Sequence, residues 1–214
     1  MSAFMAHLKQ MPLIAILRGI TPAAGEKIAA VLVEAGFLIV EVPLNSPSPF
    51  ATIELLAKRF GGKVVIGAGT VLDADDVDRL RDAGGTLVVM PHADAAIVAR
   101  AKSLGLACVP GFATPTEAFR MIAAHADALK LFPAEGASPH VLKSMRAVLP
   151  TEVPILPVGS IGQESFETWW KAGARGFGIG SALYRVGDAP AVVAERARAQ
   201  VAVMRLLVVS AMLN

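Results

Sequence analysis

The chain predicts an α/β fold, a single (β/α)8 TIM barrel over residues 1–214, and three observations carry that prediction. Eight short apolar runs, each ending at Pro or Gly, alternate with helical patterns along the whole sequence. They recur every 20–28 residues or so, the spacing of βα units and not of solenoid repeats. Hydrophobic residues make up 54% and charged residues 18%, which suits strands covered on both faces and therefore apolar throughout. An open doubly wound sheet is the alternative. It does not need eight such strands, and no GxGxxG opens the first helix.

The runs, in order, are LIAILRG (13–19), FLIVEVP (37–43), VVIGAG (64–69), TLVVMP (86–91), ACVPG (107–111), ALKLFP (128–133), ILPVG (155–159) and GFGIG (176–180). Helix starts are signalled by Thr21-Pro22, Ser46-Pro47, Asp73, Thr114-Pro115 and Ser138-Pro139, because a side-chain oxygen caps free N–H groups and Pro suits the first turn. Helix stops are signalled by the Ala-Gly pairs at 35–36, 83–84 and 172–173. Two junctions nearly repeat each other, EAGFLIVEVP (34–43) and DAGGTLVVMP (82–91). No linker or low-complexity tract divides the chain.

Three runs break the apolar rule, each with one charge near its C-terminal end. Side chains alternate between the two faces of a strand. In ALKLFP, Leu129 and Leu131 face the helices, leaving Ala128, Lys130 and Phe132 inside. In FLIVEVP, Val40 and Val42 face out while Ile39 and Glu41 face in. In LIAILRG, Leu13, Ala15 and Leu17 face out while Ile14, Ile16 and Arg18 face in. A lone Lys late in a strand is ordinarily a rim residue with its head in water. Three charges converging on one barrel mouth are a constellation. A structural Lys–Glu–Arg network without chemistry is the alternative.

Desolvation and a neighbouring Arg18 both favour the neutral amine of Lys130. A neutral amine attacks a ketone to form a Schiff base. The iminium then draws electrons from an adjacent carbon–carbon bond, and Glu41, its own pKa raised by burial, shuttles protons. The glycine-rich ends complete the site. GAGT (67–70) lets a ligand approach backbone N–H groups and adds the Thr70 hydroxyl. VGSIG (158–162) and GIGSAL (178–183) follow the seventh and eighth runs, where barrels commonly bind phosphate.

Other chemistries find little support. The histidines at 7, 92, 125 and 140 lack metal-ligand spacing, so neither metal nor cofactor is expected. His92 reads as a surface-loop residue and Cys108 as core. A lone cysteine forms no internal disulfide and fits a reducing cytoplasm. The N-terminus shows no secretory pattern. A net charge of +2 with no basic block argues against nucleic acid. Glu34, Glu41 and Arg205 interrupt the apolar stretches before the ~18 residues of a membrane span.

PLIAILRGITP (12–22), EVPLNSP (41–47), IGAGTVL (66–72) and ALKLFPAE (128–135) give the chain a resemblance to a known family. It resembles the lysine-dependent 2-keto-3-deoxy-6-phosphogluconate and 2-keto-3-deoxy-6-phosphogalactonate aldolases, from about Pro12 to Arg205. The phosphogluconate branch typically reads EVTLRT after the glutamate strand. Here the segment is EVPLNS and the arginine stands in AILRG, as in the phosphogalactonate branch. The resemblance implies Lys130 as the Schiff-base residue and Glu41 as general acid/base. It implies Arg18 and Thr70 at the keto-acid end, and Gly159, Ser160, Gly180 and Ser181 around the phosphate and hydroxylated tail. It further implies a metal-free homotrimer that reversibly cleaves 2-dehydro-3-deoxy-6-phosphogalactonate to pyruvate and glyceraldehyde 3-phosphate.

The chain departs from that family at three places. Gly159-Ser160 stands where Gly-Gly is usual, Pro91-His92 where Pro-Asn or Pro-Gly is frequent, and the tail LLVVSAMLN matches no family pattern. The tail is expected to cover the barrel or to meet another subunit. Two rival functions fit the same residues: a phosphogluconate or dual-epimer aldolase, and a phosphate-sugar-binding barrel without catalysis. The last has no use for Lys130.

Overall fold

The computed structural model describes residues 2–212. A helix, α1 (Ala3–Gln10), precedes the first strand, β1 (Leu13–Ile16). There follow α2 (Pro22–Ala35), β2 (Ile39–Pro43), α3 (Pro49–Phe60), β3 (Val65–Gly69), α4 (Ala74–Asp82), β4 (Leu87–Val89) and α5 (Ala95–Ser103). Next come β5 (Ala107–Val109), β6 (Gly111–Phe112), α6 (Pro115–Ala123), β7 (Leu129–Leu131), a 3-10 turn at Ala134–Gly136 and α7 (Pro139–Arg146). The chain ends with β8 (Ile155–Pro157), α8 (Phe166–Lys171), β9 (Phe177–Ile179) and α9 (Pro190–Met212).

Every strand pairing is parallel. One sheet runs β5-β4-β3-β2-β1-β9 and a second runs β6-β7-β8. The fifth apolar run is thus two short strands, split at Pro110, which has no N–H to give the ladder. Backbone bonds nevertheless cross the split: Asp127 N–H donates to Cys108 O (3.0 Å) and Lys130 N–H to Pro110 O (2.8 Å). At the other side a single bridge pairs Val158 with Gly178, and Arg175 N–H donates to Ile155 O at 2.9 Å.

The strands separate two apolar clusters. Leu13, Ala15, Val40, Val42, Leu129 and Leu131 pack with the helices. Ile14, Ile16, Ile39, Val65, Leu87, Ala128 and Leu156 pack with one another on the inner face, together with Phe4 and Leu8 of α1. The N-terminal segment, expected only to lack a secretory pattern, is therefore a helix that closes one end of this inner cluster.

Helix caps follow the sequence signals with one exception. Thr21, Asp73, Thr114 and Ser138 accept N–H bonds at the starts of α2, α4, α6 and α7. Ser46-Pro47 does not start α3. The Ser46 hydroxyl accepts from the Gly19 N–H (2.9 Å), so it is spent between loops, and α3 begins at Pro49 after Ser48. In the tail, Leu207 and Val208 pack on the core while Leu206 and Val209 face outwards. Leu213 and Asn214 of the LLVVSAMLN segment lie outside the described residues. Among the described residues no helix is long and apolar enough to cross a membrane.

Candidate active site

Lys130 sits at the middle of β7, with Gly111 of β6 and Leu156 of β8 as its register partners. The ladder aims Leu129 and Leu131 at the helices, which leaves the lysine on the inner face and only 6% exposed. Its Nζ lies 4.8 Å from the centroid of the Phe132 ring, a face that attracts a cation. Burial, with Arg18 adding to it, pushes the Lys130 pKa below the ordinary lysine value, while Glu41 acts in the opposite direction. The neutral amine is therefore more accessible here than on the surface.

Glu41 lies in β2 opposite Ile16 of β1 and Gly67 of β3. It is 2% exposed. Burial raises its pKa above the ordinary glutamate value, and the charges of Lys130 and Arg18 pull it back. Glycine at 69 is what admits this carboxylate: a Cβ there would run into Glu41 Oε1 and Cδ. Lys130 and Glu41 act on each other electrostatically, each charge favouring the ionised form of the other.

Arg18 follows β1, and its guanidinium is exposed. Nη1 donates to Asn45 Oδ1 in the loop after β2 at 3.0 Å. Arg18 also lines a cavity of about 170 Å3 with Ile16, Phe132, Gly159, Ser160, Gly180 and Ser181. Five residues named from the sequence thus meet at one opening. Lys130 is linked to it through Phe132, which touches both. Thr70 is not part of this wall. It is half-buried one residue beyond Gly69, against which the Glu41 carboxylate rests.

Gly159 and Ser160 both have positive φ, 118° and 46°. A side chain at 159 would strike the Glu135 carboxylate, so glycine is required there. Ser160 tolerates the left-handed conformation, and its Oγ donates to Glu135 Oε1 at 2.7 Å. Glu135 and Asn45 were not singled out from the sequence. Each stands in a loop just past a strand that carries a predicted catalytic residue, and that position is the signal that marks them.

His92 is half-buried rather than exposed, with Nδ1 buried and unpartnered. Gly111, whose N–H donates to His92 O at 3.0 Å, lets the two backbones close on each other. Cys108 is a free, fully buried thiol. Burial, and then Asp127, push its pKa up to about 12, so it is no nucleophile near neutral pH. Among the described residues no three His, Cys, Asp or Glu side chains are grouped to hold a metal. A larger cavity, about 450 Å3, is lined by Leu8, Pro12, Glu152, Trp170 and Arg175, on segments leading into β1, β8 and β9, away from the strand ends that carry the charged residues.

The model of the family "KDPG and KHG aldolase" matches residues 4–194. A relative from Rhizobium meliloti (strain 1021), a probable 2-dehydro-3-deoxy-6-phosphogalactonate aldolase, is 43% identical over 90% of this chain and 91% of its own length. A 2-dehydro-3-deoxy-6-phosphogalactonate aldolase of Escherichia coli (strain K12) is 41% identical over 92% of this chain and 96% of its own. A solved structure described as "Native KDPGal structure" superposes with a TM-score of 0.91 at 41% identity, covering 93% of this chain and 97% of that one. With a parallel α/β fold, an inward lysine and glutamate, and a match over most of its length, the chain belongs to the KDPG and KHG aldolases.

Proposed function

We propose that the protein is a class I aldolase that cleaves 2-dehydro-3-deoxy-6-phosphogalactonate to pyruvate and glyceraldehyde 3-phosphate. The observation that carries this reading is Lys130, buried on the inner face with its pKa pushed down beside Glu41. The Lys130 amine attacks the C2 ketone, giving a carbinolamine that loses water to become an iminium. Glu41 accepts the C4 hydroxyl proton as the C3–C4 bond breaks. The bonding electrons pass into the iminium as an enamine, and the aldehyde departs. Protonation at C3 and hydrolysis then release pyruvate and restore the amine.

Arg18 takes the substrate carboxylate and Thr70 borders that end. Gly159, Ser160, Gly180 and Ser181 wrap the phosphorylated tail, and the cavity they share with Arg18 supports grouping them at one site. The two sheets close as one eight-position barrel and one domain, with β5 and β6 sharing the fifth position. The backbone bonds across both seams support that reading. The assembly expected by family likeness is a homotrimer in the cytoplasm, and sedimentation of the purified protein tests the trimer.

Borohydride reduction in the presence of pyruvate is the decisive experiment. A stable mass increase on Lys130 is expected, together with loss of both trapping and cleavage in Lys130→Ala. A wild-type protein left unmodified, or a Lys130→Ala variant that turns over at the ordinary rate, overturns the assignment. Comparing turnover of the C4-epimeric phosphorylated keto acids tests the choice of substrate; faster cleavage of the gluconate epimer overturns that choice.

A further inference from the structure

Gln200 is an anomaly in α9. It is 3% exposed, on a helix whose neighbouring positions Val193, Ala197, Val201 and Met204 are apolar and buried. Its Oε1 is buried without a partner. Burying an amide for one bond contributes little to stability, because the stranded carbonyl loses its water. An apolar side chain would suit the position better if packing were its purpose.

Its one bond is directed at the proposed site. Nε2 donates to the carbonyl of Ala182 at 3.0 Å, next to Ser181 on the wall of the 170 Å3 cavity. One helical turn earlier, Arg196 Nη1 donates to Leu183 O at 3.3 Å and pairs with Asp188 at 2.5 Å. Asp188 in turn accepts the Arg185 N–H at 2.9 Å. The segment 181–188 is thus tied to α9 at Ala182, Leu183 and Asp188.

Leu183 and Tyr184 anchor the segment by packing into the helix-facing core, whereas Ala182 borders open space on its α9 side. Behind Ala182 lies a second cavity of about 260 Å3, lined by Gly162, Gln163, Glu164, Glu195, Arg196, Ala199 and Gln200. With open space beside it, Ala182 is set by its polar tie to Gln200, while Leu183 is held both by packing and by Arg196.

We propose that Gln200 is a positioning residue for the phosphorylated end of the substrate, acting through the Ala182 carbonyl to hold Gly180 and Ser181 in register, with Arg196 as the second tie. This rests on the reading of Gly180 and Ser181 as substrate wall.

Gln200→Met keeps side-chain length and removes the amide. The experiment measures cleavage of the phosphorylated keto acid, competitive inhibition by inorganic phosphate, and borohydride trapping of pyruvate alone. Loss of the tie should raise KM and the phosphate inhibition constant together by about tenfold. It should leave kcat and pyruvate trapping within about twofold, because neither depends on the phosphate end. Arg196→Lys, which keeps charge opposite Asp188, should show the same split more weakly. An unchanged KM in Gln200→Met overturns the proposal. So does a parallel fall of kcat, trapping and affinity, the mark of a general structural defect. Failure of the wild-type protein to trap pyruvate would sink the aldolase reading itself, which separates the two.

Discussion

Lys130 and Glu41 move in opposite directions for one physical cause: burial disfavours the charged form of each. Arg18 then acts on both with the same sign, lowering the lysine and lowering the glutamate. Removing its charge in Arg18→Met should therefore raise both pKa values. The amine would be freed at higher pH, so the midpoint of the pH profile for pyruvate trapping should shift upwards. Glu41→Gln removes a charge that raises the lysine, so its trapping midpoint should shift downwards. Cleavage in that variant should slow by more than about tenfold for want of the proton acceptor. Trapping rates measured across pH check both signs, and a shift of Arg18→Met towards lower pH would contradict this electrostatic account.

At the scale of elements, β3 serves the site by what it lacks. Val65, Gly67 and Gly69 share its inner register, and the last two carry no side chain. A Cβ at 67 would meet Leu87, and one at 69 would meet Glu41. Gly69→Ala should therefore move the Glu41 carboxylate while leaving the strand paired. We expect kcat to fall at least about tenfold, since small misplacements of a reacting group are expensive. The far-UV spectrum should stay native. Kinetics beside circular dichroism distinguish this from unfolding, and full activity in Gly69→Ala would show that the carboxylate relaxes without penalty.

For the whole molecule, the division between clusters on the two faces of the strands separates stability from chemistry. The helix-facing cluster holds most of the buried apolar side chains. The inner cluster ends at Phe4 and Leu8 on one side and at Lys130 and Glu41 towards the other. Phe4 is 2% exposed, so Phe4→Ala should cost about 3 kcal/mol through lost burial and the cavity left behind. Urea unfolding measures that loss. Pyruvate trapping in native buffer should persist, because α1 seals the end of the interior remote from the strand ends that carry Lys130 and Glu41.

Alternation along ALKLFP and FLIVEVP was enough to put Lys130 and Glu41 on one side, because side-chain direction in a strand is a local, period-two property. Caps were legible for the same reason: Thr21, Asp73, Thr114 and Ser138 bond to N–H groups within three residues. Arg18, expected to continue the strand register of LIAILRG, stands exposed in the turn after β1 and reaches the same opening from there. Ser46 carries the local signature of a cap but bonds to Gly19, which lies far away in the chain. α1 escaped notice since its two core residues are buried only by strands that follow. The Ser160–Glu135 bond, the placing of Thr70 outside the cavity wall and the Gln200 tie to Ala182 share that character. Local stereochemistry writes register and caps into a few adjacent residues. Which distant loops meet, and which buried polar atom finds a partner, depends on how the elements pack, and no short stretch of sequence contains that.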